Sequence, residues 1–108
     1  MRLYHNPKCS KSRHIVEILK SREIEFEEHK YLELGILKED LELLSSLPNI
    51  IRTVEKEYKL VKDNISNKKG IMVALSQFPR LLQRPILVKG GKAIICRPPE
   101  IIKDFLGD

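Results

Sequence analysis

The sequence predicts an α/β domain: a four-stranded mixed sheet with a helical insertion between its second and third strands. Three observations lead there. Residues 2–5 and 24–27 read as short strands, with a helix-period stretch from about Cys9 to Ser21 between them. Pro85-Ile86-Leu87-Val88 and Ala93-Ile94-Ile95-Cys96 are apolar runs on either side of Gly90-Gly91, the pattern of a tight hairpin. The stretch from about 37 to 79 carries three further helical repeats.

Each element has a local reason. Arg2 to His5 begins apolar and is broken by Pro7. Ile15, Ile18, Leu19 and Arg22 fall on one helical repeat. Ile24-Glu25-Phe26-Glu27 alternates as a half-buried strand does. Leu37, Leu41, Leu44 and Leu47 predict a second helix that ends at Pro48. Ile51, Val54, Tyr58 and Val61 predict a third, which contains Arg52. Ile71, Ala74, Leu75 and Phe78 predict a fourth, stopped by Pro79. After the hairpin, Pro98-Pro99 opens a final helix, with Ile101, Ile102, Phe105 and Leu106 inward and Gly107 as its stop. Strand, helix, strand, then hairpin and helix is the frame of a thioredoxin-like sheet, so residues 1–108 are expected to form a single domain of that kind.

Composition narrows the function. The chain has 108 residues, 42% of them hydrophobic, which suits one domain with a real core. The longest apolar run, Ile71 to Leu75, is far below the ~20 residues a spanning helix needs, and no apolar signal segment follows Met1-Arg2. No membrane association and a cytoplasmic location are therefore expected. The net charge is +5, but its bases are interleaved with acids, and six aromatics do not alternate with them as a base-stacking surface would require. Nucleic acid is not the expected partner; surplus base also serves an anionic small substrate. Two cysteines and three dispersed histidines give neither a disulfide framework nor zinc-type spacing, so no metal is expected.

The chemistry concentrates in His5-Asn6-Pro7-Lys8-Cys9-Ser10-Lys11-Ser12-Arg13, between the first strand and the first helix. A cysteine there meets unpaired N–H groups and the positive end of the helix dipole. Such a position lowers a thiol from ~8.5 into the range of roughly 3.5 to 7.5. Lys8, Lys11 and Arg13 add positive charge; His5 is either a hydrogen-bonding group that helps tune the thiol or a strand-end histidine with no role. Position 12 is serine, so a C-x-x-C redox pair is absent. Arg84 before Pro85 and Arg97 after Cys96 bracket the hairpin at the end where the first strand delivers Cys9. Guanidinium forks suit tetrahedral oxyanions. Cys96 alternates with Arg97 along its strand and is expected to face away, as a packing residue. Arg2, Arg22 and Arg80 are read as solvated surface charges, and His14 and His29 as surface histidines.

At these residues the sequence resembles the glutaredoxin-dependent arsenate reductase family. Three blocks carry the resemblance: His5 to Arg13, Arg84-Pro85-Ile86, and Cys96-Arg97-Pro98-Pro99-Glu100; Ile50-Ile51-Arg52 with Tyr58 is a weaker fourth. The resemblance implies a thioredoxin-like fold with a helical insert and a cis Pro85. It implies Cys9 as the nucleophile, Arg52, Arg84 and Arg97 as oxyanion-binding residues, and His5 and Ser12 as residues that tune the thiolate. It implies arsenate as substrate, no bound cofactor, glutathione as co-substrate and glutaredoxin as partner. Two other readings stay open. One is a glutathione-linked thiol reductase of another substrate. The other is a non-enzymatic regulator that binds RNA polymerase, a role found in the wider superfamily, where oxidant sensors typically use the C-x-x-C pair that Ser12 removes.

Overall fold

The computed structural model describes residues 1–107. The chain divides into two compact units, Met1–Tyr31 with the chain from Arg84 onward, and Leu32–Gln83. The first holds the sheet: β1 (Arg2–Tyr4), β2 (Glu27–His29), β3 (Ile86–Lys89) and β4 (Lys92–Ile95), in the spatial order β2-β1-β3-β4. β1 runs parallel to β2 and antiparallel to β3, and β3 and β4 form the hairpin. This is the thioredoxin-like arrangement. Gly90 and Gly91 sit at φ 53° and 77°, the left-handed pair that a two-residue turn between right-twisted strands requires.

Register decides where the chemistry falls. His29, Tyr4, Ile86 and Ile95 lie in one row across the sheet. One step beyond that row stand His5, Pro85 and Cys96, so the segments that hold Cys9, Arg84 and Arg97 leave the sheet at the same end. On one face, Leu3 and Leu87 pack with Ile15 and Leu19 of α1 (Ser10–Ser21), with Cys96, and with Ile102 of the last helix. That period of three to four along α1 and two along the strands builds the core.

β2 begins three residues later than expected from its alternation. Ile24 and Phe26 pack against the core as the approach to the strand, whereas the ladder with β1 is made by Glu27, Glu28 and His29. The consequence is a correction: His29 is not a surface residue but 3% exposed, its ring edge-on to Tyr4 at 4.8 Å. Glu27 and Glu28 face solvent on the sheet's edge, where charge discourages pairing with another chain. Arg2, expected to be a free surface charge, pairs with Glu27 at 3.1 Å.

The second unit is helical: most of α2 (Tyr31–Leu34), then α3 (Lys38–Ser45), α4 (Tyr58–Val61) and α5 (Lys68–Gln77). Its third predicted helix shrinks to the four residues of α4, and Arg52 is in no helix. Ile51 instead bridges Leu82, with Arg52 N–H donating to the Leu81 carbonyl at 2.7 Å and Gln83 N–H to that of Ile50 at 2.8 Å. Backbone groups committed to that pairing are not available to a helix. Val54, counted in the apolar repeat, is 81% exposed. α5 starts earlier than its apolar residues indicate because Asn67 caps it, accepting from Gly70 N–H at 2.8 Å. Arg80, also expected as a free charge, pairs with Glu55 at 3.4 Å and with Glu57 at 3.7 Å. No described helix is long and apolar enough to cross a membrane.

Candidate active site

Cys9 is the N-cap of α1, with extended backbone at φ −95° and ψ 120°. The first helical hydrogen bond runs from Arg13 N–H to the Cys9 carbonyl, at 3.0 Å. The sulfur therefore stands at a helix N-terminus, where amides have no carbonyl of their own. Arg97 Nη2 lies 3.9 Å from Cys9 Sγ, and Arg97 Nε donates to the Arg84 carbonyl at 2.6 Å. Both arginines precede a cis proline, Pro85 and Pro98. The cis form of Pro85 agrees with what the resemblance implies; that of Pro98 was not anticipated.

Charge and solvation compete at the thiol. Partial burial pushes the Cys9 thiol up, but the Ser12 N–H, the Arg84 guanidinium and the Lys11 N–H favour the thiolate and bring it down to about 7. At Cys96, which is 1% exposed within the core, only the Leu87 backbone opposes burial, and the thiol is pushed up to about 12. The two cysteines are free.

The structure thus brings Cys9, Arg84 and Arg97 together. Ser12 is fully buried; its backbone N–H favours the thiolate, while its hydroxyl accepts from Asn6 N–H at 3.3 Å. His5 is buried too. Desolvation keeps its imidazole below the usual histidine range despite Glu28, so it is neutral near pH 7. The His5 backbone N–H donates to the His29 carbonyl at 2.9 Å, and the ring Nδ1 is a buried atom without a hydrogen-bond partner. Arg52 belongs to the other unit. There its Nε meets Glu55 at 3.2 Å and its Nη1 donates to Gln83 Oε1 at 2.9 Å.

Sequence reasoning passed over Asn6, which is buried and central to the loop before α1. Its Oδ1 accepts from Lys8 N–H at 3.0 Å and its carbonyl from Cys9 N–H at 2.9 Å. The Asn-Pro pair was a visible turn signal. Among the described residues no cluster of histidine, cysteine and carboxylate side chains is arranged to hold a metal.

Residues 4–105 match the ArsC family. An arsenate reductase of Neisseria meningitidis serogroup A is 36% identical over 98% of this chain and 97% of its own length. An uncharacterized Escherichia coli protein, YfgD, is 36% identical over 99% and 97%. Among solved structures, an arsenate reductase from Vibrio cholerae aligns with a TM-score of 0.82 at 33% identity, covering 96% of this chain and 97% of that one.

Proposed function

The chain belongs to the ArsC family, and from that premise we propose that it reduces arsenate by thiol chemistry at Cys9. The observation that carries the reading is the thiol at the α1 N-terminus, brought to about 7 beside two guanidinium groups. At neutral pH a large share of Cys9 is thiolate, the nucleophilic form. Its sulfur bonds to arsenic, and one arsenate oxygen leaves as water after protonation. Arg84 and Arg97 hold the remaining oxygens and offset the charge on them. Arg52 joins them as a third oxyanion group, on the strength of the resemblance.

Reduction of As(V) to As(III) takes two electrons, and thiols supply them. Two thiols become one disulfide as arsenate becomes arsenite and water. Cys9 is one thiol at the start, and the chain offers no second thiol fit for exchange. Position 12 is serine, and Cys96 is buried and protonated. The second thiol therefore comes from solution. Glutathione suits a site with exposed Lys8 and Lys11 at its rim; its thiolate attacks the Cys9 sulfur of the adduct, the S–As bond breaks with its electron pair going to arsenic, and arsenite leaves as the Cys9–glutathione disulfide forms, which glutaredoxin then exchanges back to the Cys9 thiol. No bound cofactor enters the scheme.

The test is a turnover assay with arsenate, with glutathione and glutaredoxin added separately and together. Turnover is expected only when glutathione is present, with thioredoxin alone supporting little. Intact-protein mass spectrometry after oxidation with glutathione is expected to show a glutathione mass on Cys9. A Cys9–Cys96 disulfide without that adduct would refute the scheme.

A further inference from the structure

We infer that Asn6 and Arg13 are positioning residues: they hold the loop before α1 in the register that makes Cys9, and not a neighbour, the N-cap of the helix. The inference rests on the reading of Cys9 as the nucleophile.

The local sequence favours other registers. Asn6-Pro7 is a strong helix start, a good N-cap residue followed by proline at the first helical position. A helix begun there would carry Cys9 into its first turn. The N–H groups of Lys11 and Ser12 would then go to the carbonyls of Pro7 and Lys8, four residues back. Ser10 is likewise a better cap than cysteine, and a helix begun at Ser10 would leave Cys9 outside. In the first register the sulfur loses to carbonyls the two amides that favour its thiolate; in the second the Ser10 hydroxyl, which accepts from the second or third helical N–H, competes with it for the Ser12 amide.

The structure adopts neither. Asn6 Oδ1 takes the Lys8 N–H at 3.0 Å and the Asn6 carbonyl takes the Cys9 N–H at 2.9 Å, which closes one isolated turn. That turn stops at the extended backbone of Cys9. The Pro7 carbonyl, which a continuous helix would give to Lys11, receives Arg13 Nη1 at 2.9 Å. The Asn6 N–H is taken by Ser12 Oγ at 3.3 Å. Side chains at 6, 12 and 13 thus satisfy the polar groups of the turn, and α1 opens with the Arg13 N–H on the Cys9 carbonyl. Asn6 acts from a buried position and Arg13 from the surface, across the same short loop.

The test reads Cys9 without arsenate: the pH midpoint of its alkylation, followed on the Cys9 peptide by mass spectrometry. It is run at low salt and at 1 M salt, where the screening length is about 3 Å. Asn6→Ala and Arg13→Ala are expected to raise the midpoint by about one pH unit, and to keep the rise at high salt. Asn6→Ser, which retains an acceptor for the Lys8 N–H, is expected to recover most of it. Circular dichroism checks folding. Where an alanine variant does not fold, Asn6→Gln and Arg13→Met replace it, with the same expected rise. An unchanged midpoint in the folded Asn6 variant overturns the inference, as does an Arg13 rise that vanishes at high salt, which would reduce Arg13 to a nearby charge. A parent midpoint at the ordinary thiol value is a different result: it would remove the nucleophile reading itself.

Discussion

Cys9 and Cys96 lie in the same unit, and the segments that carry them leave the sheet at the same end. Their chemistry is nonetheless opposite. Cys96 continues β4 with the parity of Ile94, so it turns into the core with Leu3, Ile15, Leu19 and Leu87. Cys9 caps the N-terminus of a helix, partly in solvent, with Arg97 at 3.9 Å. Burial raises both thiols, to about 12 where it acts almost alone and not at all on balance where amides and a guanidinium oppose it. Removal from water by itself makes a thiol inert. Reactivity comes from donors arranged around the sulfur before any substrate arrives.

The two thiols differ most in turnover. Cys9→Ser is expected to abolish arsenate turnover, because an alcohol at that position is not ionised near neutral pH. Cys96→Ala is expected to leave most of the turnover, at a cost in stability of about 1 kcal/mol for the small cavity it leaves. Steady-state turnover and urea denaturation of the two variants check this. Equal losses of turnover would make Cys96 a working thiol and erase the contrast.

A smaller effect sharpens the contrast around Cys9. Arg84→Ala and Arg97→Ala are each expected to weaken arsenate or sulfate binding by about 1.5 to 3 kcal/mol, the loss of one charge-assisted contact. Arg97 Nε donates to a neutral acceptor, the Arg84 carbonyl. Arg52 is held differently, against the Glu55 carboxylate and the Gln83 amide. Arg52→Ala is expected to weaken binding too, by the lower end of that range. Titration calorimetry with arsenate ranks the three. Unchanged binding in all of them would remove the oxyanion role.

Most of the sheet unit was legible because its signals are local. Gly90-Gly91 demands a left-handed turn, Pro98-Pro99 forbids strand continuation, and Ile15 with Leu19 can share a core only on a helix. The helical unit was less legible. Ile51, Val54, Tyr58 and Val61 keep a helical spacing, yet the chain at Ile51 pairs with Leu82, thirty-one residues on, and no local pattern announces that bridge. His29 was misread for a similar reason: its burial follows from pairing with Tyr4 in a strand whose apolar alternation ends at Phe26. At the site, the cysteine and the two flanking arginines were visible from spacing. Asn6 was not, because its contribution lies in which backbone groups its side chain occupies, a property of the folded turn.

The smallest effect compares the two thiols through stability. Cys9 has a folded pKa of about 7, below the ~8.5 of an unfolded thiol. Between those values the unfolded chain binds more protons, so this group's contribution grows as pH rises from 7 to about 8.5 and is lost as pH falls through 7. Cys96 has the opposite sign. Its folded pKa of about 12 lies above the unfolded value, so the folded state holds the proton longer. Its contribution is present in full below about 8.5 and is lost as pH rises from there toward 12. Urea midpoints of the parent, Cys9→Ser and Cys96→Ala from pH 6 to 10 separate the two. Cys9→Ser should flatten the rise between 7 and 8.5, and Cys96→Ala should soften the decline above 8.5. If Cys9→Ser leaves the slope between 7 and 8.5 unchanged, the Cys9 thiol is not perturbed by folding, and the helix N-terminus does not tune it.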